Sequence, residues 1–294
     1  MNMRQQLIQS GEALLAKDQK LVILLGDMSV FGFREAFKNF PTRIYNIGIL
    51  EQSTIGLAAG LAMTGMVPIV HTIAPFLVER SLEQLKDDFG YQKLGGNFVS
   101  IGASYDYSAL GCTHHCPGDV GILKNIPGME IVVPGTAAEF DSLLRQAYDN
   151  GRPTYYRLSE QENTESYPVK FGKAQVIKKG KKATIIAVGP ALRPSLEACA
   201  NDDVTILYYT TVAPFDSDTL RNNCSSGRVL LCEPYYTGTL TNDIMSALNP
   251  LPIVIENVGV PREFLTHYGK ASEQDAYIGM TGSAIHSKLK KLLL

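Results

Sequence analysis

An α/β fold of two doubly wound domains is predicted by three observations. Apolar runs of strand length alternate with helical stretches along the whole chain. That alternation lapses once, into the polar stretch Ser159–Gly172. And 294 residues suffice for about two domains, each able to bury its own core.

The elements follow in order. A helix over Met3–Ala16 leads to the strand Leu21–Leu25, an unbroken aliphatic run too short for a buried helix. After an irregular stretch to Pro41 come a short strand around Ile44–Ile47 and a helix rich in small residues. The strand Val67–His71, a helix from about Phe76 to Leu94 and the strand Asn97–Ile101 follow. Beyond a loop at Gly102–Gly118, the pattern predicts the helix Val120–Asn125, the strand Ile131–Val133, a helix through Ala137–Tyr148 and the strand Thr154–Leu158.

Linker composition, Glu160-Gln161-Glu162-Asn163-Thr164-Glu165-Ser166, then marks a domain boundary. The second part restarts with the strand Ala183–Val188, a helix over Arg193–Ala200 and the strand Val204–Tyr208. A helix from Ser217, the strand Arg228–Cys232, a helix Gly238–Leu248, the strand Ile253–Ile255 and a closing helix complete it. No short internal repeat is present.

Composition excludes several functions. Apolar residues make up 45% and charged residues 19%, the balance of a compact globular protein. Lys plus Arg number 27 against 29 Asp plus Glu, so no basic field is available for nucleic acid. No apolar run approaches the roughly 20 residues that cross a bilayer. The start, Met1-Asn2-Met3-Arg4-Gln5-Gln6, lacks the apolar core of a signal peptide. Five cysteines, an odd number without framework spacing, read as reduced thiols in a cytoplasm.

The most informative segment is Tyr45-Asn46-Ile47-Gly48-Ile49-Leu50-Glu51-Gln52 with the small-residue run that follows it. It puts one acid, Glu51, at the mouth of a helix containing Gly56, Ala58, Ala59, Gly60, Ala62 and Gly65. Glycine inside a helix costs about 0.5–1 kcal/mol relative to alanine, so another backbone or a ligand is expected against it.

This segment resembles the transketolase group of thiamine diphosphate enzymes, whose pyrimidine-binding domain carries N-V-G-I-x-E-Q before an A-A-G-L-A helix. Thr211-Val212-Ala213-Pro214-Phe215-Asp216 is similar to the family's T-I-x-P-L-D, and Gly259-Val260-Pro261-Arg262-Glu263-Phe264 to its G-v-P-x-x-F. The resemblance implies a pyrimidine-binding domain at 1–160, a linker at 161–175 and a transketolase C-terminal domain at 176–294. It implies thiamine diphosphate as cofactor and transfer of a two-carbon ketol unit from a ketose to an aldehyde.

By the same resemblance Glu51 is the carboxylate that shares a proton with the aminopyrimidine ring, a role suited to a shielded acid. Ile49 lies in the same motif and is grouped with the cofactor contacts. Phe76, in Ile73-Ala74-Pro75-Phe76, falls where the family stacks an aromatic on that ring, and Arg80 either lines the site or braces its helix. Asp27, in Leu25-Gly26-Asp27-Met28, matches A-D-L at a strand end, facing cofactor across a dimer interface. On the substrate side, Gly111-Cys112-Thr113-His114 corresponds to G-x-T-H, which makes His114 the loop histidine beside the substrate. His115 stands where the family has Gln, and His71 approaches from a strand end. Arg4 retains one phosphate-gripping position.

The run Cys112-Thr113-His114-His115-Cys116 invites a metal reading, but four ligands within five residues can rarely wrap one tetrahedral ion, and no metal ligand is assigned. The family's strand-end arginine is replaced by Glu160, a carboxylate where a phosphate clamp belongs, and its substrate-facing acid by Leu110. An unusual or modified sugar is therefore expected.

A whole domain is also missing. The family holds the diphosphate through Mg²⁺ with a G-D-G stretch and a downstream Asn. Here Gly26-Asp27-Met28 and Gly118-Asp119-Val120 come nearest, and neither fits. The chain thus resembles the C-terminal subunit of a split transketolase. It is expected to work with an N-terminal, alpha-type partner carrying the diphosphate-binding domain and holding magnesium, in a heterotetramer. The alternatives are the beta subunit of a 2-oxo acid dehydrogenase or decarboxylase, and a catalytically silent paralogue.

Overall fold

The chain forms twelve strands in two sheets, in a computed structural model that describes residues 1–294. They are β1 (Leu21–Leu25), β2 (Ile44–Asn46), β3 (Val67–Ile73), β4 (Gly96–Ile101), β5 (Glu130–Val132) and β6 (Pro153–Arg157) in the first half. The second half adds β7 (Gln175–Lys178), β8 (Thr184–Val188), β9 (Thr205–Tyr209), β10 (Thr211–Ala213), β11 (Arg228–Tyr236) and β12 (Val254–Val260). The sheet orders are β10-β5-β6-β4-β3-β1-β2 and β12-β11-β8-β9-β7. Pairing is parallel throughout except at two edges, where β10 runs antiparallel to β5 and β7 to β9. Two parallel-dominated sheets flanked by helices are the doubly wound α/β architecture read from the sequence.

Parallel strands covered on both faces need apolar residues at every position. β1 and β8 are accordingly buried end to end. A cluster of 32 buried residues joins the sheets, taking Val22, Leu24 and Val70 from one and Ile186, Val188 and Leu231 from the other. A second, of 19, lies beneath the helices Met3–Lys17 and Ala137–Ala147. The third, of 17, sits under Leu192–Ala198 and Gly282–Leu293.

The polar stretch after β6 is packed rather than loose. Glu162 accepts from the Met3 N–H at 2.9 Å and the Ala137 N–H at 3.1 Å, so one carboxylate serves two helix N-termini. Asn163 donates to the Gly189 carbonyl and to the Tyr208 hydroxyl, both at 3.2 Å.

The sequence pattern predicts one long helix from Phe76 to Leu94. The structure instead has Ala74–Val78, Leu82–Gln84 and a π-helical turn, Leu85–Tyr91. The break falls at Ser81, whose hydroxyl donates to the Leu77 carbonyl at 2.6 Å and competes with the backbone ladder. Four elements go beyond the sequence reading: the helices Arg34–Asn39 and Ala271–Ile278 and the edge strands β7 and β10. No helix is long and apolar enough to cross a membrane.

β2 and β3 lie on opposite sides of β1, so strand order reverses there. Crevices at the carboxyl ends of strands beside such a reversal are the usual ligand sites of open α/β sheets.

Candidate active site

The turn leading out of β2 is set by Asn46. Its Oδ1 accepts from the N–H groups of Asp27 at 3.0 Å and Gly48 at 3.1 Å, and its Nδ2 donates to Asp27 Oδ1 at 3.1 Å. Gly48, at φ +83°, takes a backbone conformation that favours glycine. The chain then enters the helix Glu51–Met63 with Glu51 in its first turn, where the helix dipole favours a carboxylate. Glu51 is 3% exposed.

From Glu51 a continuous set of contacts crosses to the loop histidine. Arg80 Nη1 donates to Glu51 Oε2 at 2.7 Å, and the guanidinium carbon lies 4.2 Å from the centre of the Phe76 ring. Phe76 meets His114 edge to face, with ring centres 5.4 Å apart. His114 Nδ1 is 3.0 Å from the Thr113 hydroxyl, and Tyr107 flanks the imidazole at 6.5 Å. Glu51, Arg80, Phe76 and His114, predicted from three separate segments, therefore come together.

Arg4, His71 and Asp27 form a neighbouring group. His71 is fully buried, and its Nδ1 lies 2.8 Å from the Val99 carbonyl. A carbonyl only accepts, so Nδ1 carries the proton and Nε2 is left to accept from the Ser29 hydroxyl at 2.9 Å. Ser29 in turn accepts from Arg4 Nε at 3.0 Å. Burial lowers the His71 pKa to about 4, against the hydrogen bond with Val99, and Arg4 lowers it further. His71 thus reaches the groove through Ser29 rather than directly. Asp27 and Ser29 adopt φ of 64° and 63°, a strained region for non-glycine residues that recurs at functional sites. They line, with Arg4, Asn2 and Phe31, a groove of about 450 Å³.

The remaining predicted residues lie apart from these contacts. Ile49 is 66% exposed on the turn before Glu51. His115 is 6% exposed, and burial lowers its pKa against the raising effect of the nearby Tyr107 backbone. Glu160 is exposed at the end of β6, and its N–H donates to Asp106 at 2.9 Å. Leu110 is 53% exposed beside the His114 turn. All five cysteines are free, and no three His, Cys, Asp or Glu side chains are grouped to hold a metal.

Sequence reasoning missed Ser29 and Tyr107. Ser29 stands two residues from Asp27, but its partners are distant in the chain. Tyr107 lies on a loop without a recognisable pattern.

The residues present fit a planar nitrogen heterocycle. A shielded carboxylate and an aromatic face already share one planar, N–H-bearing guanidinium, and an aminopyrimidine offers the same flat shape with a ring nitrogen able to share a carboxyl proton.

Residues 1–165 match the family model described as transketolase, pyrimidine binding domain, and residues 172–285 that described as transketolase, C-terminal domain. Fold and family models thus define a two-domain part of an enzyme of the thiamine-dependent kind. The chain belongs to the transketolase family. It is 37% identical over 286 residues to an uncharacterized 33.6 kDa protein in the fasciation locus of Rhodococcoides fascians, covering 95% of this chain and 91% of that one. It is 28% identical to one subunit of the apulose-4-phosphate transketolase of Phocaeicola vulgatus, covering 91% of this chain and 87% of the relative. A solved structure described as a split gene transketolase, inactive beta4 tetramer, superposes with a TM-score of 0.86 at 25% identity, covering 100% of this chain and 98% of that one. The chain therefore has the layout of the C-terminal, beta-type subunit of a split transketolase.

Proposed function

We propose that the chain supplies the ring-binding half of a thiamine diphosphate-dependent ketol transferase, which moves a two-carbon unit from a ketose to an aldehyde. The observation that carries this reading is the contact chain from buried Glu51 through Arg80 and Phe76 to His114. The chemistry supplied by bound thiamine diphosphate is a nucleophilic carbon able to take up the ketol unit.

This chain's residues do the rest. Glu51, shielded from water, shares a proton with the pyrimidine nitrogen. Phe76 offers a stacking face bordered by Arg80, and Ile49 is offered to the cofactor from the exposed turn before Glu51. Asp27, at the neighbouring strand end, faces the cofactor across a dimer interface. His114, with Nδ1 engaged by Thr113, uses Nε2 to exchange protons with substrate oxygens. Arg4, held by Ser29 with His71 behind it, meets an anionic or hydroxyl-rich part of the substrate, and His115 takes part on the substrate side from beneath the same loop, its ring buried. Glu160 repels a phosphate at its own rim, so a differently anchored or modified sugar suits that side.

Residues 1–160 and 176–294 act as the two units of this half, joined through 161–175. The diphosphate and Mg²⁺ are held mainly by a partner polypeptide. The helix after Glu51 supports such an assembly: a Cβ at Gly60 would meet nothing within 4 Å, while Leu57 and Met63 are 46% and 66% exposed. The assembly proposed is an α₂β₂ heterotetramer in a reducing cytoplasm.

The test is reconstitution with the partner subunit, comparing ketose donors with 2-oxo acids. Ketol transfer by the complex, and none by this chain alone, is expected. Turnover of 2-oxo acids with ketoses inert, or full activity of the isolated chain, would overturn the proposal.

A further inference from the structure

The loop that carries His114 has both its ends gathered on one buried cation. Arg157, the last residue of β6, is 1% exposed. Its Nε donates to Asp119 Oδ2 at 2.7 Å and its Nη2 to Ser104 Oγ at 2.7 Å. Nη2 also donates to the Pro234 carbonyl at 3.2 Å, a residue of β11 in the second sheet. Asp119 is fully buried, and its Oδ2 also accepts from the Tyr155 hydroxyl at 2.8 Å. Its Oδ1 accepts from the Val120 N–H at 2.9 Å, so both carboxylate oxygens are used.

Ser104 stands at the other end of the loop with φ +49°. A non-glycine residue keeps that conformation only where its surroundings impose it. Here they do: its hydroxyl donates to Pro234 and accepts from Arg157, and its carbonyl accepts from the Cys116 N–H at 2.7 Å. Between Ser104 and Asp119 lie the Cys112–His114 turn and His115. A guanidinium fork can meet three acceptors in a fixed plane, which an ammonium cannot reproduce.

We propose that Arg157 is the positioning residue of the His114 loop. By clamping Ser104 and Asp119 together it sets where the imidazole stands relative to Phe76. By sharing Nη2 with Pro234 it ties that placement to the second sheet. This inference rests on the reading of His114 as a substrate-facing group.

The experiment compares Arg157→Lys and Ser104→Ala with the unsubstituted full chain, alone and in its complex with the partner. Amide hydrogen exchange at 104–118 is expected to accelerate by about tenfold or more while amides of β4 and β6 keep their protection. In the complex, kcat is expected to fall by about tenfold or more while KM for the ketose and cofactor affinity change little. A folded Arg157→Lys protein with unaltered loop exchange and unaltered kcat would overturn the proposal. So would uniform loss of protection across both sheets, which marks general stability rather than positioning. If Arg157→Lys does not fold, Ser104→Ala decides by the same criteria, because it leaves the Arg157–Asp119 pair in place. Exchange is read without turnover, so a complex lacking ketol transfer would refute the proposed function and leave the loop result legible.

Discussion

Arg80 donates to Glu51 at 2.7 Å while its guanidinium lies against the face of Phe76 at 4.2 Å, so one side chain joins the acid and the ring. Glu51 is 3% exposed and Arg80 41%. The asymmetry matters: the carboxylate has surrendered its water and depends on this partner, whereas the guanidinium remains half solvated. A planar ligand engaging both Glu51 and Phe76 competes for the surfaces that Arg80 covers.

Replacing Glu51 with Gln separates charge from shape. The amide oxygen still accepts from Arg80, so unfolding should change by no more than about 1 kcal/mol. Loss of the proton-sharing carboxyl should lower ketol transfer by about 10²–10⁴-fold. Thermal unfolding and initial rates on the same preparation check both halves. An active Glu51→Gln complex would remove Glu51 from the chemistry.

Phe76→Leu keeps apolar bulk but removes the aromatic face touching Arg80 and His114. Offset stacking contributes about 0.5–1.5 kcal/mol, so thiamine diphosphate should bind the complex roughly two- to tenfold more weakly. Calorimetric titration reads this directly. Unchanged affinity would mean the ring packs only within the protein.

His71 yields a pH prediction. Its pKa is depressed from 6.5 to about 4, mainly by burial. The folded protein therefore binds this proton less readily than the unfolded chain. The stabilisation is complete above pH 6.5 and is lost as pH falls through 4, a change worth roughly 3 kcal/mol. Asp106, raised to about 7 by burial, acts oppositely: its contribution is present below pH 3.8 and lost as pH rises through 7. His71→Asn should flatten the acid limb of the stability profile and leave the Asp106 limb intact. Urea midpoints between pH 4 and 7 check this, and an acid limb as steep as before would count against a buried, neutral His71.

What the sequence makes legible follows from how local each signal is. Strands such as β1 and β8 announce themselves because burial on two faces demands near-continuous apolar runs. β7 does not, since all four of its residues are only partly buried and it carries Gln175 and Lys178. β10 spans three residues and leaves its own half of the chain to pair with β5. In the site, Glu51, Phe76, Arg80 and His114 each sit within a short motif. Ser29 with His71, and Arg157 with Asp119, are partners 42 and 38 residues apart. Such pairs exist only once strand order has brought the ends of β1, β3 and β6 alongside the loop.

Gly111 offers the sharpest local test of the loop. Its φ of 75° with ψ of −168° belongs to a region essentially reserved for glycine. A Cβ there would also lie 2.6 Å from Cε1 of Tyr268, which reaches over from beyond β12. Gly111→Ala therefore carries a backbone penalty of about 1–3 kcal/mol and a smaller contact penalty, since Tyr268 is 71% exposed and its ring can shift aside. Tyr268→Ala in the same chain removes the contact and leaves the backbone penalty. The paired substitution should thus recover part of the stability and of kcat lost in Gly111→Ala, giving a non-additive cycle. Strict additivity in unfolding and rate measurements would mean that Tyr268 does not cover the His114 turn in solution.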